Sequence, residues 1–388
     1  MGFVIFDRSA FNLEQMNIGF DAKRAFLNFT GLGNYSRFVI DALQKNYKEN
    51  RYILYSPRTS QHPEAKVLHQ FETDIVLPDS SLLKGSLWRT YGIQFEKSVS
   101  ELHLYHGLSG ELPVGLPPKI KKVVTIHDLI FLRYPELYHP IDRFIYKVKA
   151  MRACRQAEKI IAVSEQTKQD IVDFFKISAS KIQVVYQGCH ASFRKEKTKS
   201  EIDSVRLKYH LPNDYILNVG TIEKRKNLGF LINAVSRLPK ELPIKLVVVG
   251  KQTAYFKEMW KLVLEKDLKN KVIFLHQVAF SDLPAIYQGA KVFVYPSRFE
   301  GFGIPIVEAI ESNVPVITST GSCFNEAGGP DSIYVDPDQP DDLAFQLKRI
   351  LEGDSLVKTM TMKSKSFAKK FHPEVIATDL VRTYNSIL

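Results

Sequence analysis

Residues 291–320 read KVFVYPSRFEGFGIPIVEAIESNVPVITST. The stretch opens with an apolar, β-branched run and closes with another, and between them lie glycines, a proline and a short helical pattern. A strand, a helix and a second strand in this order predict two parallel strands joined by a crossover helix. The stretch therefore predicts an α/β fold.

Runs of this kind recur along the chain, each followed by a helical pattern and a polar turn. In the first half they cover residues 17–23, 51–56, 74–78, 101–106, 122–128, 159–164 and 181–188. After the charged segment 193–203, which is typical of a linker, they restart at residues 215–221, 244–251, 271–278, 291–297, 314–320 and 332–337. Near-continuous apolar strands that alternate with helices indicate parallel sheets covered on both faces.

The two series of strands predict two Rossmann-like, doubly wound domains that face each other across a cleft. Residues 1–195 form the first domain and residues 200–372 the second, and a last helix, from about residue 373 to residue 388, is assigned to the first domain. Ligands of open parallel sheets gather at the carboxyl ends of the strands. We therefore expect the two domains to share one deep site.

The composition of the 388 residues is that of a globular enzyme, with 45% hydrophobic and 24% charged residues. Cys154, Cys189 and Cys323 stand far apart without a CxxC pair, which argues against a disulfide framework or a zinc site and favours a reducing cytosol. Within residues 1–13, the charged Asp7 interrupts the apolar run too early for a signal-peptide core. No apolar run in the sequence approaches the length of a membrane span. These features predict a cytoplasmic protein.

The net charge of +11 is concentrated in the first half of the chain. Residues 1–200 hold 29 Lys and Arg against 20 Asp and Glu, hence +9, whereas residues 201–388 hold 24 against 22, hence +2. A basic surface can meet nucleic acid, anionic lipid or a phosphorylated substrate. The sequence lacks the interleaved aromatic and basic residues of nucleic-acid modules, so no nucleic-acid partner is expected.

Two glutamates, Glu300 and Glu308, flank the glycine-rich bend of the opening stretch. Pro305 fits the first residue of the helix, and Glu308 then falls in its first turn. The free amides of residues 304–307 suit a phosphate oxygen, whereas a carboxylate, which only accepts hydrogen bonds, suits a vicinal diol. A nucleoside diphosphate sugar would satisfy both. The simpler alternative is that the helix dipole alone favours a glutamate near a helix start.

The segment EGFGIPIVE, residues 300–308, resembles the signature of retaining glycosyltransferases of family 4, whose two-Rossmann architecture is called GT-B. The resemblance continues, in the family's order, through residues 31–39, 123–136, 161–171, 219–227 and 318–337. It implies a glycosyltransferase that uses neither a metal nor a cofactor.

The resemblance gives several residues of the second domain a role in donor binding. It implies that Glu308 binds the donor ribose and that Glu300 lies beside the donor sugar as a catalytic residue. It also implies that Phe302, Gly303 and Ile304 present backbone amides to the sugar and the diphosphate.

A second group of donor-binding residues follows from the same resemblance. Arg225 and Lys226 match the family's basic pair, and preplaced cations would stabilise the charge of the departing diphosphate without reorganisation. A solvated turn is the alternative for this pair. Family members hold the nucleobase through the backbone near Val278, but here the sequence HQV, residues 276–278, replaces a glycine-led loop. The identity of the base therefore does not follow from the sequence.

The first domain contributes Gly31, Gly33 and His127. The glycines open a predicted helix after the first strand and could let the backbone approach the diphosphate or the acceptor. The alternative, which the residues favour without the resemblance, is a tight turn in which Asn34 caps the helix. His127 ends a strand at the cleft, and the resemblance makes it a second catalytic residue that positions and polarises hydroxyls of donor and acceptor. Asp128 either orients a loop or acts beside it.

The helix predicted over residues 140–159 has two interpretations. Ile141, Phe144, Ile145, Val148 and Met151 trace one face, and most of the basic residues lie elsewhere. Such a helix can rest on anionic lipid, as acceptors in the family are often lipid-linked. We favour the alternative, a face that packs on the core with a solvated basic side.

These observations lead to one functional hypothesis and two alternatives. The hypothesis is a retaining glycosyltransferase that moves a hexose from a nucleoside diphosphate sugar to a hydroxyl of a glycan or a lipid-linked saccharide. GDP-mannose is the first expectation for the donor, because residues 219–227, VGTIEKRKN, are similar to those of mannosyltransferases of polysaccharide assembly; UDP-glucose and UDP-N-acetylglucosamine follow. The alternatives are a sugar-nucleotide epimerase and a non-catalytic sugar-nucleotide binding protein.

Overall fold

The computed structural model describes residues 15–69, 73–79 and 85–388. Within these ranges the chain forms thirteen strands: β1 (Asn17–Asp21), β2 (Arg51–Tyr55), β3 (Asp74–Val76), β4 (Leu104–Gly107), β5 (Lys121–Ile126), β6 (Lys159–Ala162), β7 (Ile182–Val184), β8 (Tyr215–Val219), β9 (Lys245–Val249), β10 (Val272–Leu275), β11 (Val292–Tyr295), β12 (Val316–Ser319) and β13 (Ile333–Val335). Each predicted strand overlaps one of them. The prediction made for residues 1–13 lies outside the described residues.

The strands form two sheets in which every neighbouring pair is parallel. The first sheet has the order β3-β2-β1-β4-β5-β6-β7 and the second has the order β10-β9-β8-β11-β12-β13. In each sheet the chain moves outward from a central strand, first to one side and then to the other. The carboxyl ends of β1 and β4, and of β8 and β11, are therefore the switch points where ligands of such sheets bind. The predicted α/β class with two Rossmann-like domains is confirmed.

Helices cover the faces of the sheets because their apolar sides bury β-branched strands. They are α1 (Lys23–Leu27), α2 (Gly31–Asn46), α3 (Gly85–Leu87), α4 (Ile130–Arg133), α5 (Pro140–Gln156), α6 (Glu165–Phe175), α7 (Lys199–Lys208), α8 (Leu228–Val235), α9 (Phe256–Glu265), α10 (Leu283–Gln288), α11 (Ile304–Glu311), α12 (Phe324–Gly328), α13 (Pro340–Glu352), α14 (Asp354–Ala368) and α15 (Pro373–Asn385). Among the described residues, no helix combines the length and the apolarity that a bilayer crossing requires.

The last helix and the segment between the two domains show where the chain passes from one domain to the other. α15 buries Ile376, Leu380 and Tyr384 in the core of the first sheet, beside α2. The segment 193–203, which was predicted to be a linker, is partly ordered: Phe193 is fully buried, and α7 starts inside the segment behind a capping box made by Thr198. The apolar Phe193 and the capping sequence outweigh the polar composition of the segment.

Candidate active site

The candidate site lies where the loop after β11 meets the first domain. This loop, residues 296–303, leaves the carboxyl end of the second sheet and leads into α11. The main-chain carbonyl of Gly301 accepts hydrogen bonds from Ser164 Oγ at 2.6 Å and from Thr167 Oγ1 at 3.3 Å. A Cβ on Gly301 would lie 2.0 Å from the carbonyl oxygen of His127, so this close approach requires glycine.

Glu300 lies in a cluster of cations directly before this contact. Its side chain is buried, and its Oε1 is 2.6 Å from Lys226 Nζ and 2.7 Å from Arg225 Nη1. Ser297 donates a hydrogen bond to the same oxygen. Burial by itself would raise the pKa of Glu300, but Lys226 and Arg225 outweigh it and lower the pKa to about 2. The predicted catalytic glutamate and the predicted basic pair therefore form one ion cluster in which Glu300 stays ionised.

Glu308 has the opposite environment. It is buried on α11, where Tyr287 Oη donates a hydrogen bond to its Oε2 at 2.9 Å. Within the described residues no cation contacts Glu308, and its Oε1 has no hydrogen-bond partner. Burial raises the pKa of Glu308 to about 7, although the hydrogen bond from Tyr287 opposes the rise. A buried carboxylate with one free oxygen is suited to a ligand that donates hydrogen bonds.

The start of α11 differs from the prediction by one residue. Gly303 is the cap, with a φ of 112° that favours glycine, and α11 begins at Ile304. Pro305 is therefore the second helical residue instead of the first, and Glu308 lies in the second turn instead of the first. The dipole of a helix start acts mainly within the first turn. It does not explain a buried glutamate at this position.

The main chain between the two glutamates leaves donors free. The amides of Phe302, Gly303 and Ile304 donate no hydrogen bond to any described residue. Because they precede a helix, the positive end of its dipole adds to their attraction for an anion. The three residues predicted to bind the diphosphate through their backbone thus have the unpaired amides that such binding requires.

Two residues that the sequence did not single out hold this loop in place. Ser322 Oγ donates to the carbonyl of Glu300 at 3.1 Å and accepts from the Glu300 amide at 3.2 Å. Cys323 Sγ donates to the carbonyl of Phe302 at 2.8 Å. Both lie in the segment 318–337 that resembles the family, but only their contacts across two loops reveal a supporting role.

His127 is fixed by protein contacts on both ring nitrogens. Nε2 lies 2.9 Å from the carbonyl oxygen of Leu108, and Nδ1 lies 3.0 Å from Gln187 Nε2. Because a carbonyl only accepts, Nε2 carries the proton and Nδ1 accepts from Gln187. Burial lowers the pKa of His127 to about 4, so the ring is neutral. A substrate hydroxyl that bonds to Nδ1 would have to replace Gln187.

Asp128, which follows His127, accepts a hydrogen bond from the backbone amide of Ile130 and so orients the loop into α4.

A network of buried polar side chains packs against the His127 ring through Tyr35. Tyr35 packs edge-on against the His127 ring and bonds to Thr125, which in turn bonds to His106 at 2.8 Å. The other nitrogen of His106 bonds to Tyr384 of α15 at 2.8 Å. No local pattern in the sequence indicates this network, because its members lie on four elements that only the fold brings together.

Gly31 and Gly33 occupy different environments at the start of α2. A Cβ on Gly33 would lie 1.7 Å from the carbonyl oxygen of Asn28, so a tight turn explains this glycine. Asn28 Oδ1 accepts from the amides of Thr30 and Gly33, which makes Asn28 the residue that caps this turn. The suggested cap, Asn34, lies inside the helix. Gly31 is the first residue of α2 and has open space where a Cβ would stand.

Val278 follows β10 and packs its partly buried side chain against a hydrophobic core cluster that includes Tyr287 and Phe293. At the start of the segment that replaces the family's glycine-led loop, His276 bonds through Nδ1 to the carbonyl oxygen of Gly250 at 3.1 Å and through Nε2 to the side-chain nitrogen Nε2 of Gln252 at 2.6 Å. These contacts place a polar side-chain pair at the carboxyl ends of β9 and β10. The predicted nucleobase position therefore has side chains, as well as backbone, beside it.

A second contact joins the two domains next to this site. The carboxylate of Glu326, on α12, accepts from the amides of Glu165 at 2.7 Å and Gln166 at 3.2 Å, at the start of α6. An acidic side chain from one domain therefore satisfies the helix start of the other. Together with the Gly301 contact, it holds the loop after β11 against the first domain. Within the described ranges, no group of three or more His, Cys, Asp or Glu side chains could hold a metal ion.

Comparison with solved structures identifies the fold. HepE of Anabaena, solved in complex with UDP and glucose, superposes with a TM-score of 0.72 over 96% of this chain and 100% of that chain, at 19% sequence identity. Two parallel Rossmann-like sheets with a loop site between them are the GT-B fold of glycosyltransferases. The fold expected from the sequence is thereby confirmed.

Family models and relatives then identify the family. Residues 30–193 match the model described as Glycosyltransferase Family 4, and residues 201–367 match the model described as Glycosyl transferases group 1. The chain is 32% identical to O-antigen chain mannosyltransferase B of Escherichia coli, over 73% of this chain and 74% of that protein. It is 29% identical to O-antigen chain mannosyltransferase RfbU of Salmonella typhimurium, over 61% and 62%. The chain belongs to glycosyltransferase family 4, and the epimerase and binding-protein alternatives are not favoured.

Proposed function

We propose that the protein is a retaining mannosyltransferase that moves mannose from GDP-mannose to a hydroxyl of a growing glycan or a lipid-linked saccharide, without a metal. The observation that carries the proposal is the contrast between two buried carboxylates on either side of three free amides. Glu300 is held by two cations, whereas Glu308 has none and keeps one oxygen free. This arrangement offers sites for an anion and for two sets of hydroxyls.

A nucleoside diphosphate sugar fits the three parts of the arrangement. The amides of residues 302–304 and the Lys226 cation would hold the diphosphate. Glu308 would accept from both ribose hydroxyls, because a carboxylate has acceptor sites for two donors. Glu300 would accept from hydroxyls of the sugar through Oε2, which has no hydrogen-bond partner among the described residues.

The same groups account for the chemistry of transfer. As the sugar leaves, negative charge develops on the β-phosphate, and Lys226 and Arg225 are already in place to stabilise it. An ionised Glu300 cannot donate a proton, so it would stabilise the positive charge that develops on the sugar. Retention is compatible with same-face attack, in which the leaving phosphate takes the acceptor's proton, and with a covalent intermediate. In either case the cations perform the task that a metal performs elsewhere.

The choice of mannose rests on relatives and on residues 219–227. The two relatives that are described above are named as O-antigen mannosyltransferases, and their names support mannose for this chain. A nucleotide-sugar screen tests the choice of mannose. We expect GDP-mannose to be consumed fastest, and its mannose to be released by hydrolysis or transferred to added glycan acceptors. If UDP-glucose is the one nucleotide sugar that is turned over, the donor is UDP-glucose and not GDP-mannose. No turnover of any nucleotide sugar, or an epimerised nucleotide sugar formed without acceptor, would contradict the transferase.

The raised pKa of Glu308 predicts a pH dependence of donor affinity. The ionised carboxylate is the form that accepts two hydroxyls, so affinity for GDP-mannose should rise by roughly tenfold from about pH 6 to about pH 8, as the pKa of about 7 is passed. Without donor, the free energy of unfolding has the opposite pH dependence: the folded state holds the Glu308 proton up to a higher pH than the unfolded state, so stability falls as pH rises from 4.5 to about 7 and then levels off. Calorimetric titration across this range measures the first effect. Glu308→Gln should flatten it, and an equally steep curve in that variant would contradict the role of Glu308.

The acceptor determines where the protein acts. A lipid-linked saccharide is the acceptor class that the family resemblance favours, and it would place the protein at the inner face of a membrane. An exposed apolar and basic surface in the first domain supports this placement. Assays with a saccharide on a polyprenyl diphosphate, compared with the same saccharide free in solution, should show faster transfer to the lipid-linked form.

A further inference from the structure

The first half of α5 leaves large apolar side chains in solvent. Ile141 and Phe144 are 64% and 68% exposed, and Ile145 and Val148 are 41% and 43% exposed. The buried residues of α5 are confined to residues 150–154. The favoured interpretation of this helix, an apolar face on the core, is therefore wrong for its first half. The reason is that helical periodicity is the same for a face on a core and a face on another apolar medium.

Positive charge surrounds these apolar side chains. We call the exposed side chains of residues 141–148 the α5 surface. Along the whole helix there are five basic residues, namely Arg143, Lys147, Lys149, Arg152 and Arg155, and one acidic residue, Asp142. Lys149 pairs with Glu111, whereas Arg143 and Lys147 have no acidic partner among the described residues. The α5 surface thus combines exposed hydrocarbon with uncompensated cations.

A cavity of about 330 Å³ opens at the α5 surface. Its apolar lining comes from Leu132, Pro135, Pro140 and Phe144, and its cations are Arg143 and Lys147. Apolar walls beside two cations suit an amphiphile whose phosphate meets the cations while its hydrocarbon covers the walls.

The α5 surface lies beside the donor loop. Arg133, just before this helix, stacks over the ring of Phe299 at 5.2 Å, and Tyr134 contacts the same ring at 5.6 Å. Phe299 directly precedes Glu300. A partner seated on the α5 surface is therefore next to the loop where the sugar would be transferred.

We propose that the α5 surface docks the protein on an anionic phospholipid bilayer. Phe144 and Ile141 enter the boundary between head groups and acyl chains, and Arg143 and Lys147 meet lipid phosphates. A second copy of this chain is a poorer partner, because two such surfaces would bring cations against cations. The functional reason for docking, access to a lipid-linked acceptor, rests on the proposed function. The binding to the bilayer can be measured without acceptor or donor.

Co-sedimentation with vesicles tests the proposal. We expect the full chain to bind vesicles that contain phosphatidylglycerol and to remain in solution with pure phosphatidylcholine. Phe144→Ser should lower the partition coefficient about tenfold or more. Arg143→Gln combined with Lys147→Gln should lower it about 25-fold, since each cation near a charged bilayer contributes about fivefold. The matched controls are Phe345→Ser, at a phenylalanine of the second domain that is 60% exposed, and Lys257→Gln, at an exposed lysine of α9.

A single-site fluorescent probe separates insertion from charge attraction alone. Cys154, Cys189 and Cys323 are buried, so an environment-sensitive dye will label Phe144→Cys selectively. Anionic vesicles should shift its emission to the blue, and the dye on Phe345→Cys should not respond.

Three results would overturn the proposal. The first is that the wild-type protein binds neutral and anionic vesicles equally well. The second is that Phe144→Ser binds anionic vesicles as strongly as the wild type does. The third is that the protein is a dimer in solution and Phe144→Ser dissociates it. Each leaves the donor screen untouched, so failure of bilayer docking and failure of the proposed transferase are distinguishable.

Discussion

Replacing Lys226 by alanine should lower the rate of sugar transfer by about 10²–10³-fold, the effect of removing one preorganised group that stabilises transition-state charge. Lys226 Nζ lies 2.6 Å from Glu300, and in the proposed complex it would stabilise the leaving diphosphate. Loss of a charged hydrogen bond should also weaken nucleotide binding by about 1–3 kcal/mol. Steady-state kinetics and calorimetry on the same samples separate the two effects.

Lys224→Ala is the matched control for this variant. Lys224 belongs to the same 3₁₀ turn, Lys224–Lys226, but its side chain is exposed and makes no ion pair with the described residues. We expect near-wild-type rates and affinity from it. If Lys226→Ala binds nucleotide and transfers sugar as well as Lys224→Ala does, the basic pair does not serve the diphosphate.

Replacing Gly301 by alanine should lower transfer by about 100-fold while leaving nucleotide binding in the second domain largely intact. The added Cβ would lie 2.0 Å from the carbonyl oxygen of His127, and a main-chain atom cannot rotate away as a side chain can. The two domains must then separate at this point, and displacement of reacting groups by about 1 Å can cost this much. Kinetics report the loss, and small-angle scattering reports the wider cleft.

Gly229→Ala, inside α8, is the control for added volume. A Cβ there meets Leu262 and Met259 at 3.5 Å, which is ordinary contact, and alanine favours a helix interior. This variant should fold and transfer sugar normally. Wild-type transfer by Gly301→Ala would show that the contact between Gly301 and His127 is not needed for the reaction.

The strands were the most predictable part of the fold. Buried parallel strands are runs of β-branched and apolar residues, and such runs are visible in one sequence without knowledge of their neighbours. The chemistry of the loop followed from the same local features, since carboxylates and free amides have defined partners.

Errors arose wherever a pattern had two physical explanations. The apolar face of α5 has the spacing of a core helix, yet its first half is exposed. Asn34 has the side chain of a helix cap, yet Asn28 makes the capping bonds. In each case the deciding factor was which atoms lie nearby in space, and neighbouring sequence does not encode that directly.

The amino-acid sequence by itself determined two doubly wound sheets and a glycine-rich bend at a helix start with a glutamate on either side, because strand burial and helix-start chemistry are local. Only the tertiary structure decided that Glu300 is ionised among cations while Glu308 lies buried without one, since ionisation depends on the charges and solvent that folding brings near each group. It alone also decided which face of α5 remains open to solvent.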